Sequence, residues 1–266
     1  MPFAELGDVT LFYTDDGPRD GRALLLVHGY AADSDDWVWH IAALAEEHRV
    51  VAVDLRGHGH SSAPETGYRP QDFAGDLVRL LDHLGIEQVV AIGHSMGGSV
   101  VSALAVEHPA RVAALVCVDP AYGKSEAVAA FMPGLVEGLH KDPHGAVLAM
   151  ESALYTPVTP PVIVTAHARK ILHTPSHVLD QAFPALFTDE GQWGIRARSE
   201  AYLAGRTCPV LTCWADADSA EWEAAVFKNP RSQAITWPAA GHRLHEERPA
   251  EFLHVVIRWI KKLEFR

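Results

Sequence analysis

The feature that most constrains the fold of this chain is a repeated pairing of short apolar runs with longer amphipathic stretches. The runs are nearly continuous rather than alternating, which is typical of strands covered on both faces of a parallel sheet. They lie at Ala23–Val27, Val50–Val53, Val89–Ile92, Ala113–Val118, Val210–Trp214 and Ala234–Trp237. An earlier segment differs, because Val9, Leu11 and Tyr13 alternate with polar residues before a turn. That alternation predicts an antiparallel edge strand.

The stretches between the apolar runs carry the periodicity of amphipathic helices. One stripe is Phe73, Leu77, Leu80, Leu81 and Leu84, and Gly85 supplies a stop signal after it. A second is Trp37, Ile41 and Leu44, with Ser34 or Asp35 as the expected cap, and a third is Phe252, Val255, Val256 and Trp259 after Pro249. Alternation of strands and helices predicts a doubly wound α/β fold with right-handed crossovers.

One long stretch, from about Gly123 to Arg206, contains no convincing strand. Its helical patches are broken by seven prolines: Pro133, Pro143, Pro157, Pro160, Pro161, Pro175 and Pro184. An insertion of this length between two strands predicts a helical cap over the edge of the sheet, made of several short helices. We therefore expect core segments at 1–122 and 207–266 and a cap, or lid, at 123–206.

The motif that carries chemistry is Gly93-His94-Ser95-Met96-Gly97, which fits G-x-S-x-G between a buried strand and a helical pattern ending near Glu107. In that motif the serine lies on a sharp, strained turn, and side chains at Gly93 or Gly97 would clash with neighbouring elements. The context predicts Ser95 as a nucleophile.

A serine hydroxyl needs a histidine base, which is in turn oriented by a carboxylate. Of sixteen histidines, His242 is the best candidate because it follows the last predicted strand at the carboxyl end of the sheet. Three aspartates follow strands and satisfy the order Ser…Asp…His: Asp119, Asp216 and Asp218. Spacing alone does not separate them.

The oxyanion of an acyl-transfer intermediate needs backbone N–H donors. We expect them from Tyr30, after the strand Ala23–Val27, and from Met96, after the nucleophile. His28, Gly29, His94 and Trp193 are the predicted substrate-pocket residues, and Met132, Phe183, Phe187 and Trp222 are further candidates, of which most should pack beneath the cap. His58 and His60 have spacing that can hold a metal, but a structural turn is the favoured interpretation, and no metal or other cofactor is expected.

Composition excludes several function classes. The chain has 22 basic and 34 acidic side chains, a net charge of −12, so binding to nucleic acid or anionic lipid is not expected. No apolar run approaches the length of a membrane span, and the first residues do not resemble a signal peptide. Three cysteines in or beside apolar runs suggest buried thiols and a cytoplasmic location. The expected partner is a small-molecule substrate, and no pattern indicates an oligomeric state.

Over nearly its whole length the chain resembles the α/β-hydrolase fold superfamily. The matching segments are His28-Gly29-Tyr30, Asp54 to Ser61, Gly93 to Gly98, Asp216 to Asp218 and Gly241-His242. The resemblance implies an eight-stranded, mostly parallel sheet with helices on both faces, a lid between strands six and seven, and a triad of Ser95, His242 and an aspartate. The family's usual W-G-x-x-D pattern selects Asp218, although Ala215 replaces the glycine. Some lactonase-like members take the acid from the position of Asp119, which is the alternative.

These observations predict a serine esterase or lactonase acting on a fairly apolar small molecule through an acyl-enzyme. A serine at the nucleophile position argues against dehalogenase or epoxide-hydrolase chemistry, for which the resemblance implies aspartate. The alternatives are a carbon–carbon bond hydrolase or perhydrolase that uses the same triad, and a small-molecule receptor of this fold with little turnover.

Overall fold

The computed structural model of the chain describes residues 2–263. Met1, the first residue of the predicted core segment 1–122, and residues 264–266, the last of the segment 207–266, lie outside the described residues. The strands are β1 Phe3–Glu5, β2 Thr10–Asp16, β3 Arg22–Val27, β4 His48–Val53, β5 Val89–His94, β6 Val112–Val118, β7 Val210–Trp214 and β8 Gln233–Thr236. They form one eight-stranded sheet in the order β1-β2-β4-β3-β5-β6-β7-β8.

The sheet is parallel from β4 to β8 and antiparallel at its first two strands. The alternating segment predicted as an edge strand is β2, and it is indeed antiparallel, but the prediction of an edge position is wrong. The three-residue strand β1 pairs with β2 and takes the edge. A strand of three residues is too short to show the alternation of apolar and polar residues by which strands are predicted.

Twelve α-helices occur in the described part of the chain. They are α1 Val38–Leu44, α2 Pro70–His83, α3 Met96–Glu107, α4 Glu126–Ala129, α5 Met132–Lys141, α6 Pro143–Leu154, α7 Pro161–His173, α8 Ser176–Phe187, α9 Arg196–Leu203, α10 Ala217–Val226, α11 Leu244–Glu247 and α12 Pro249–Lys262. A 3-10 turn, Ser34–Trp37, leads into α1, and its cap is the Asp33 side chain rather than Ser34 or Asp35.

Hydrophobic side chains are buried on both faces of the sheet, as the unbroken apolar runs predict. In β3, Leu25 packs into one core and Leu24 into the other. The first core receives the predicted α2 stripe together with α3, whereas the second receives α1 and the Phe252, Val256 and Trp259 face of α12. Helices therefore cover both faces, and the fold class predicted from the sequence is confirmed.

Six helices, α4 to α9, lie between β6 and β7, and this stretch holds no strand longer than an isolated bridge within the described residues. Three of the seven prolines stand in the first turn of a helix, where the missing N–H costs nothing, two more precede a helix as its N-cap, and Pro184 lies inside α8. The division into a core and a cap stays a prediction. Cys117, Cys208 and Cys213 are free thiols, of which Cys208 is only partly buried. No helix in residues 2–263 combines the length and apolar character that crossing a bilayer requires.

The turn Gly93 to Gly97, here called the elbow, needs glycines at both ends because of backbone contacts rather than flexibility. A Cβ at Gly93 would lie 2.3 Å from the Gly97 carbonyl oxygen, and one at Gly97 would lie 2.4 Å from that of Val27. Both distances are far inside van der Waals contact, so α3 can approach β5 and β3 this closely only without side chains there.

We predict that Gly93→Ala lowers the free energy of unfolding by about 2 kcal/mol or more, because α3 must move to admit the methyl group. Gly75→Ala is the matched control: it lies inside α2 with open space around its Cβ position, and should add about 0.5–1 kcal/mol. Urea denaturation of the three proteins measures both effects. Equal stability of Gly93→Ala and wild type would contradict the close approach of α3.

Candidate active site

Ser95 lies on the turn between β5 and α3 with a left-handed backbone, φ 52° and ψ −116°. A non-glycine residue in that region is strained, and the surrounding backbone holds it there. Its N–H donates to the carbonyl of Val118 at 2.9 Å, and its own carbonyl accepts from Gly98 and Ala121, each at 2.9 Å. The hydroxyl is thereby presented at the carboxyl edge of the sheet.

His242 is brought to Ser95 by the loop between β8 and α11. Its Nε2 lies 2.9 Å from the Ser95 Oγ, the distance of a hydrogen bond from hydroxyl to imidazole. The loop is fixed on two sides. The buried His94 donates from Nε2 to the His242 carbonyl at 3.0 Å, and the neighbouring Arg243 donates to Glu151 at 2.8 Å.

The carboxylate beside His242 belongs to Asp119, at the end of β6. Its Oδ2 lies 2.5 Å from Nδ1 of His242, and its Oδ1 accepts from the Ala215 N–H at 3.1 Å. Burial acts to raise the pKa of Asp119, but the hydrogen bond and charge of His242 outweigh it, and the pKa falls to about 2. The group is therefore ionised at neutral pH and able to orient the imidazole.

The preference for Asp218 is corrected by this geometry. Asp218 lies in the first turn of α10 with its side chain 78% exposed, and it accepts from Arg196 at 2.8 Å. Asp216 caps the same helix by accepting from the Ser219 N–H at 2.8 Å. Because α10 begins at Ala217, directly after β7, the chain leaves no loop that could carry either carboxylate to His242.

The backbones of Tyr30 and Met96, the two predicted oxyanion donors, both lie near Ser95. Met96 is the first residue of α3, so its N–H belongs to the helical turn that lacks intrahelical acceptors. The loop with Tyr30 passes close by, since a Cβ at the adjacent Gly29 would lie 3.3 Å from the Ser95 Cβ. The Tyr30 hydroxyl donates to the Leu179 carbonyl of α8 at 2.7 Å, which ties this loop to the inserted helices. Donation to an oxyanion stays a prediction.

A cavity of about 430 Å³ opens on Ser95, Asp119 and His242. Most of its wall is apolar and comes from the inserted helices, including Val128, Met132, Met150, Leu154, Phe183 and Phe187. Met132, Phe183 and Phe187 were candidates from the sequence. The others were missed, although their helical spacing, as in Met150 and Leu154, is a signal that could have grouped them on one face.

The four residues predicted to form the pocket do not line this cavity, and that prediction is corrected. His28 is bound within the core, where its Nε2 accepts from the Leu55 N–H at 3.0 Å and its Nδ1 donates to the Gly29 carbonyl. Gly29 and His94 pack against each other behind the nucleophile. Trp193 stacks on Tyr202 of α9, with ring centroids 4.4 Å apart. Trp222 is likewise absent from the wall.

A buried ionic cluster joins the inserted helices to the sheet side of the site. Lys170 of α7 lies 2.7 Å from Asp36, and Arg243 lies 3.4 Å from the same carboxylate and 2.8 Å from Glu151 of α6. His167 lies 3.0 Å from Glu246 of α11. These contacts fix α6 and α7 over the loop that carries His242.

Within residues 2–263, one group of side chains has the spacing of metal ligands: Asp36, His167 and Glu246, whose ligand atoms lie within 4.8 Å of one another. Lys170 and Arg243 already neutralise it, so the donor set does not fit a cation. His58 and His60 are not paired on an ion either: His58 Nδ1 donates to the Arg56 carbonyl, whereas His60 lies beside Asp54.

We predict that Asp119→Asn lowers kcat by about 10⁴-fold, because the amide oxygen keeps the Ala215 N–H and the amide NH2 then donates to Nδ1 of His242, which stabilises the wrong tautomer. Asp218→Asn is the matched control and should retain most of the activity, because this carboxylate of the cavity wall is paired with Arg196 and does not contact His242. Steady-state kinetics of the two variants decide between the carboxylates. A large loss in Asp218→Asn alone would reverse the assignment.

Buried imidazoles make the stability of the protein sensitive to mild acid. Burial lowers the pKa of His40 to about 4 and of His58 to about 3, and it lowers the pKa of His94 and His245 well below the usual 6.5. Below pH 6.5 the unfolded chain binds protons at these sites and the native chain does not. Stability is therefore lost as the pH falls from about 6.5 towards 4.

We predict that the free energy of unfolding falls between pH 7 and pH 5.5, with each such imidazole contributing up to about 1.4 kcal/mol per pH unit. His58→Asn keeps a donor towards the Arg56 carbonyl but does not titrate, so its slope should be shallower. His254→Asn, on the exposed side of α12, is the control and should follow wild type. Urea denaturation across this range measures the slopes; an unchanged slope in His58→Asn would contradict the prediction.

The comparisons with known proteins agree with the observed fold. The family model described as alpha/beta hydrolase fold matches residues 22–249. The dihydrolipoyllysine-residue acetyltransferase component of the acetoin cleaving system of Pseudomonas putida is 29% identical over 97% of this chain and 69% of its own length. The bifunctional esterase/perhydrolase of Acinetobacter calcoaceticus is 36% identical over 44% of this chain and 45% of its own length, so the chain matches less than half of that relative.

Among solved structures, a thermophilic esterase from Thermogutta terrifontis aligns over 98% of this chain and 97% of its own, with a TM-score of 0.81 and 27% identity. The matched region of the family model contains the elbow serine, the histidine after β8 and the aspartate after β6, on a sheet of the expected order. The chain therefore belongs to the alpha/beta hydrolase fold family.

Proposed function

We propose that the protein is a serine hydrolase that cleaves a carboxylic ester or lactone of a small, largely apolar molecule. The observation that carries the proposal is the pair of contacts made by His242, at 2.9 Å to the Ser95 hydroxyl and 2.5 Å to the Asp119 carboxylate. With the hydroxyl and the carboxylate on opposite ring nitrogens, the imidazole can take and return a proton at each step of acyl transfer while the carboxylate orients it. Ester cleavage is also the activity named for the Acinetobacter calcoaceticus relative and the Thermogutta terrifontis structure.

Acylation follows from this arrangement. The Ser95 oxygen attacks the carbonyl carbon while His242 Nε2 takes the hydroxyl proton, and Asp119 stabilises the imidazolium that forms. The carbonyl oxygen becomes an oxyanion, which the N–H groups of Tyr30 and Met96 bind. His242 then gives the proton to the leaving alcohol as the carbon–oxygen bond breaks, leaving the acyl group on Ser95.

Deacylation repeats these steps with water. His242 takes a proton from the water that attacks the acyl-enzyme, and returns it to the Ser95 oxygen when the acid is released. Water is the one co-reactant of this cycle, and no step changes an oxidation state. The apolar wall from the inserted helices surrounds the reacting carbonyl and reduces its access to bulk water.

We predict that the protein turns over nitrophenyl esters many times, and that Ser95→Ala lowers kcat by about 10⁴-fold or more. Ser99→Ala is the matched control, because Ser99 is a buried serine of α3 outside the cavity wall. The measurement is nitrophenol release by wild type and both variants, with lactone and thioester substrates in parallel. Turnover that persists in Ser95→Ala would contradict the proposal. A single equivalent of product, with label left on a histidine, would favour a receptor.

A further inference from the structure

The charged side chains in the wall of the cavity are nearly all committed to partners within the protein. Asp119 binds His242, Asp218 binds Arg196 at 2.8 Å, and Glu151 accepts from Arg243 at 2.8 Å. Asp216 is bound to the first turn of α10. Each of these charges has an opposite charge or an N–H group against it, so none demands a polar group from a bound molecule.

Lys124 is the exception. Within the described residues 2–263, no carboxylate lies within 4.0 Å of its Nζ, although the side chain lines the same cavity as Ser95. The ammonium lies over the face of the Trp214 ring, 5.4 Å from its centroid, and acts on Asp119 only through its charge, which helps to lower the pKa of that carboxyl. A cation over an aromatic face keeps its capacity to donate hydrogen bonds on its open side.

The position of Lys124 is fixed by its backbone, although its side chain is long. Its N–H donates to the Gly194 carbonyl at 3.0 Å, and its carbonyl accepts from the Arg196 N–H at 2.9 Å. These bonds form a parallel bridge with Ile195 just before α9. The ammonium is therefore held on one side of a cavity whose remaining wall is mostly apolar.

A molecule that fills the cavity removes water from this ammonium. A wholly apolar molecule supplies nothing in exchange, and the desolvated charge then costs free energy. A molecule with a carboxylate at the end remote from the ester supplies a charge-assisted hydrogen bond in place of the water. Asp218 is paired with Arg196, and Asp216 accepts from the first turn of α10, so neither carboxylate forms an ion pair with the ammonium.

We infer that Lys124 determines specificity by binding a carboxylate of the substrate, so that the preferred substrates are esters or lactones of an acid with an apolar chain and a second, free carboxylate. This inference rests on the proposed function and narrows its substrate class. Lys124 itself takes no part in proton transfer, and its contribution appears in the choice between anionic and neutral substrates.

The test compares two esters of equal chain length, mono-4-nitrophenyl suberate and 4-nitrophenyl octanoate. We predict that Lys124→Met lowers the ratio of kcat/KM for the suberate over the octanoate by about tenfold or more, as expected for loss of a hydrogen bond to a charged group. Lys124→Arg should keep most of the ratio. Lys228→Met removes one positive charge from an exposed position outside the cavity, and is the control for net charge.

The outcomes separate this inference from the proposed function. If both esters are cleaved by Ser95 and the ratio is the same in wild type and Lys124→Met, the inference is wrong and the proposed function stands. If Lys228→Met lowers the ratio as much as Lys124→Met, the effect is one of net charge and the inference is also wrong. If neither ester is cleaved in a Ser95-dependent way, both are overturned. Circular dichroism and thermal unfolding of each variant check that its fold is intact.

Discussion

The candidate site depends on one interaction, the contact of His242 with the Ser95 hydroxyl on one side and the Asp119 carboxylate on the other. The three residues come from the ends of β5 and β6 and from the loop after β8, and they meet because parallel strands end at the same edge of the sheet. Ser95 and Asp119 both have left-handed backbones, with φ of 52° and 39°. Such residues cost about 1–3 kcal/mol each, so the surrounding packing must hold them in place.

The backbone shows how that strain is held. The Ser95 N–H donates to the end of β6, and the Asp119 N–H donates to the Cys213 carbonyl of β7 at 2.8 Å. The next residue along from β7, Ala215, donates its N–H to the Asp119 carboxylate. The strands β5, β6 and β7 are thus linked through the same groups that orient His242. The backbone hydrogen bonds of the sheet therefore also hold the site.

The inserted helices complete the site from the other side. Their apolar side chains form most of the cavity wall, and their charged residues enter the buried cluster around Asp36 and Arg243. Burying such a cluster costs much of the attraction that it gains, so its contribution to stability is small compared with that of the apolar core. Its clearest consequence is geometric, because Arg243 is fixed beside His242.

The sheet could be predicted from the sequence, and so could the position of the Ser95 turn with His242 beside it, because each has a local signal. Unbroken apolar runs mark buried strands, the glycines around Ser95 mark a turn with no room for side chains, and His242 follows a strand near the end of the chain. The prediction of the carboxylate was wrong. Asp119 and Asp218 both follow strands and the sequence favours Asp218, whereas the structure places Asp119 beside His242. The choice depends on whether the chain after β7 forms a loop or enters a helix at once, as α10 does. The prediction of the pocket residues was wrong, because the choice of side chains that line the cavity depends on how the short inserted helices pack, which no local pattern encodes.

The most direct test of the central claim is the rate at which a phosphonyl fluoride modifies Ser95, followed by mass spectrometry in wild type and in His242→Gln. If the imidazole activates this hydroxyl, wild type should acquire one adduct, located on Ser95, and the variant should acquire it orders of magnitude more slowly while remaining folded. Equal rates in the two proteins, or an adduct elsewhere than Ser95, would contradict the account.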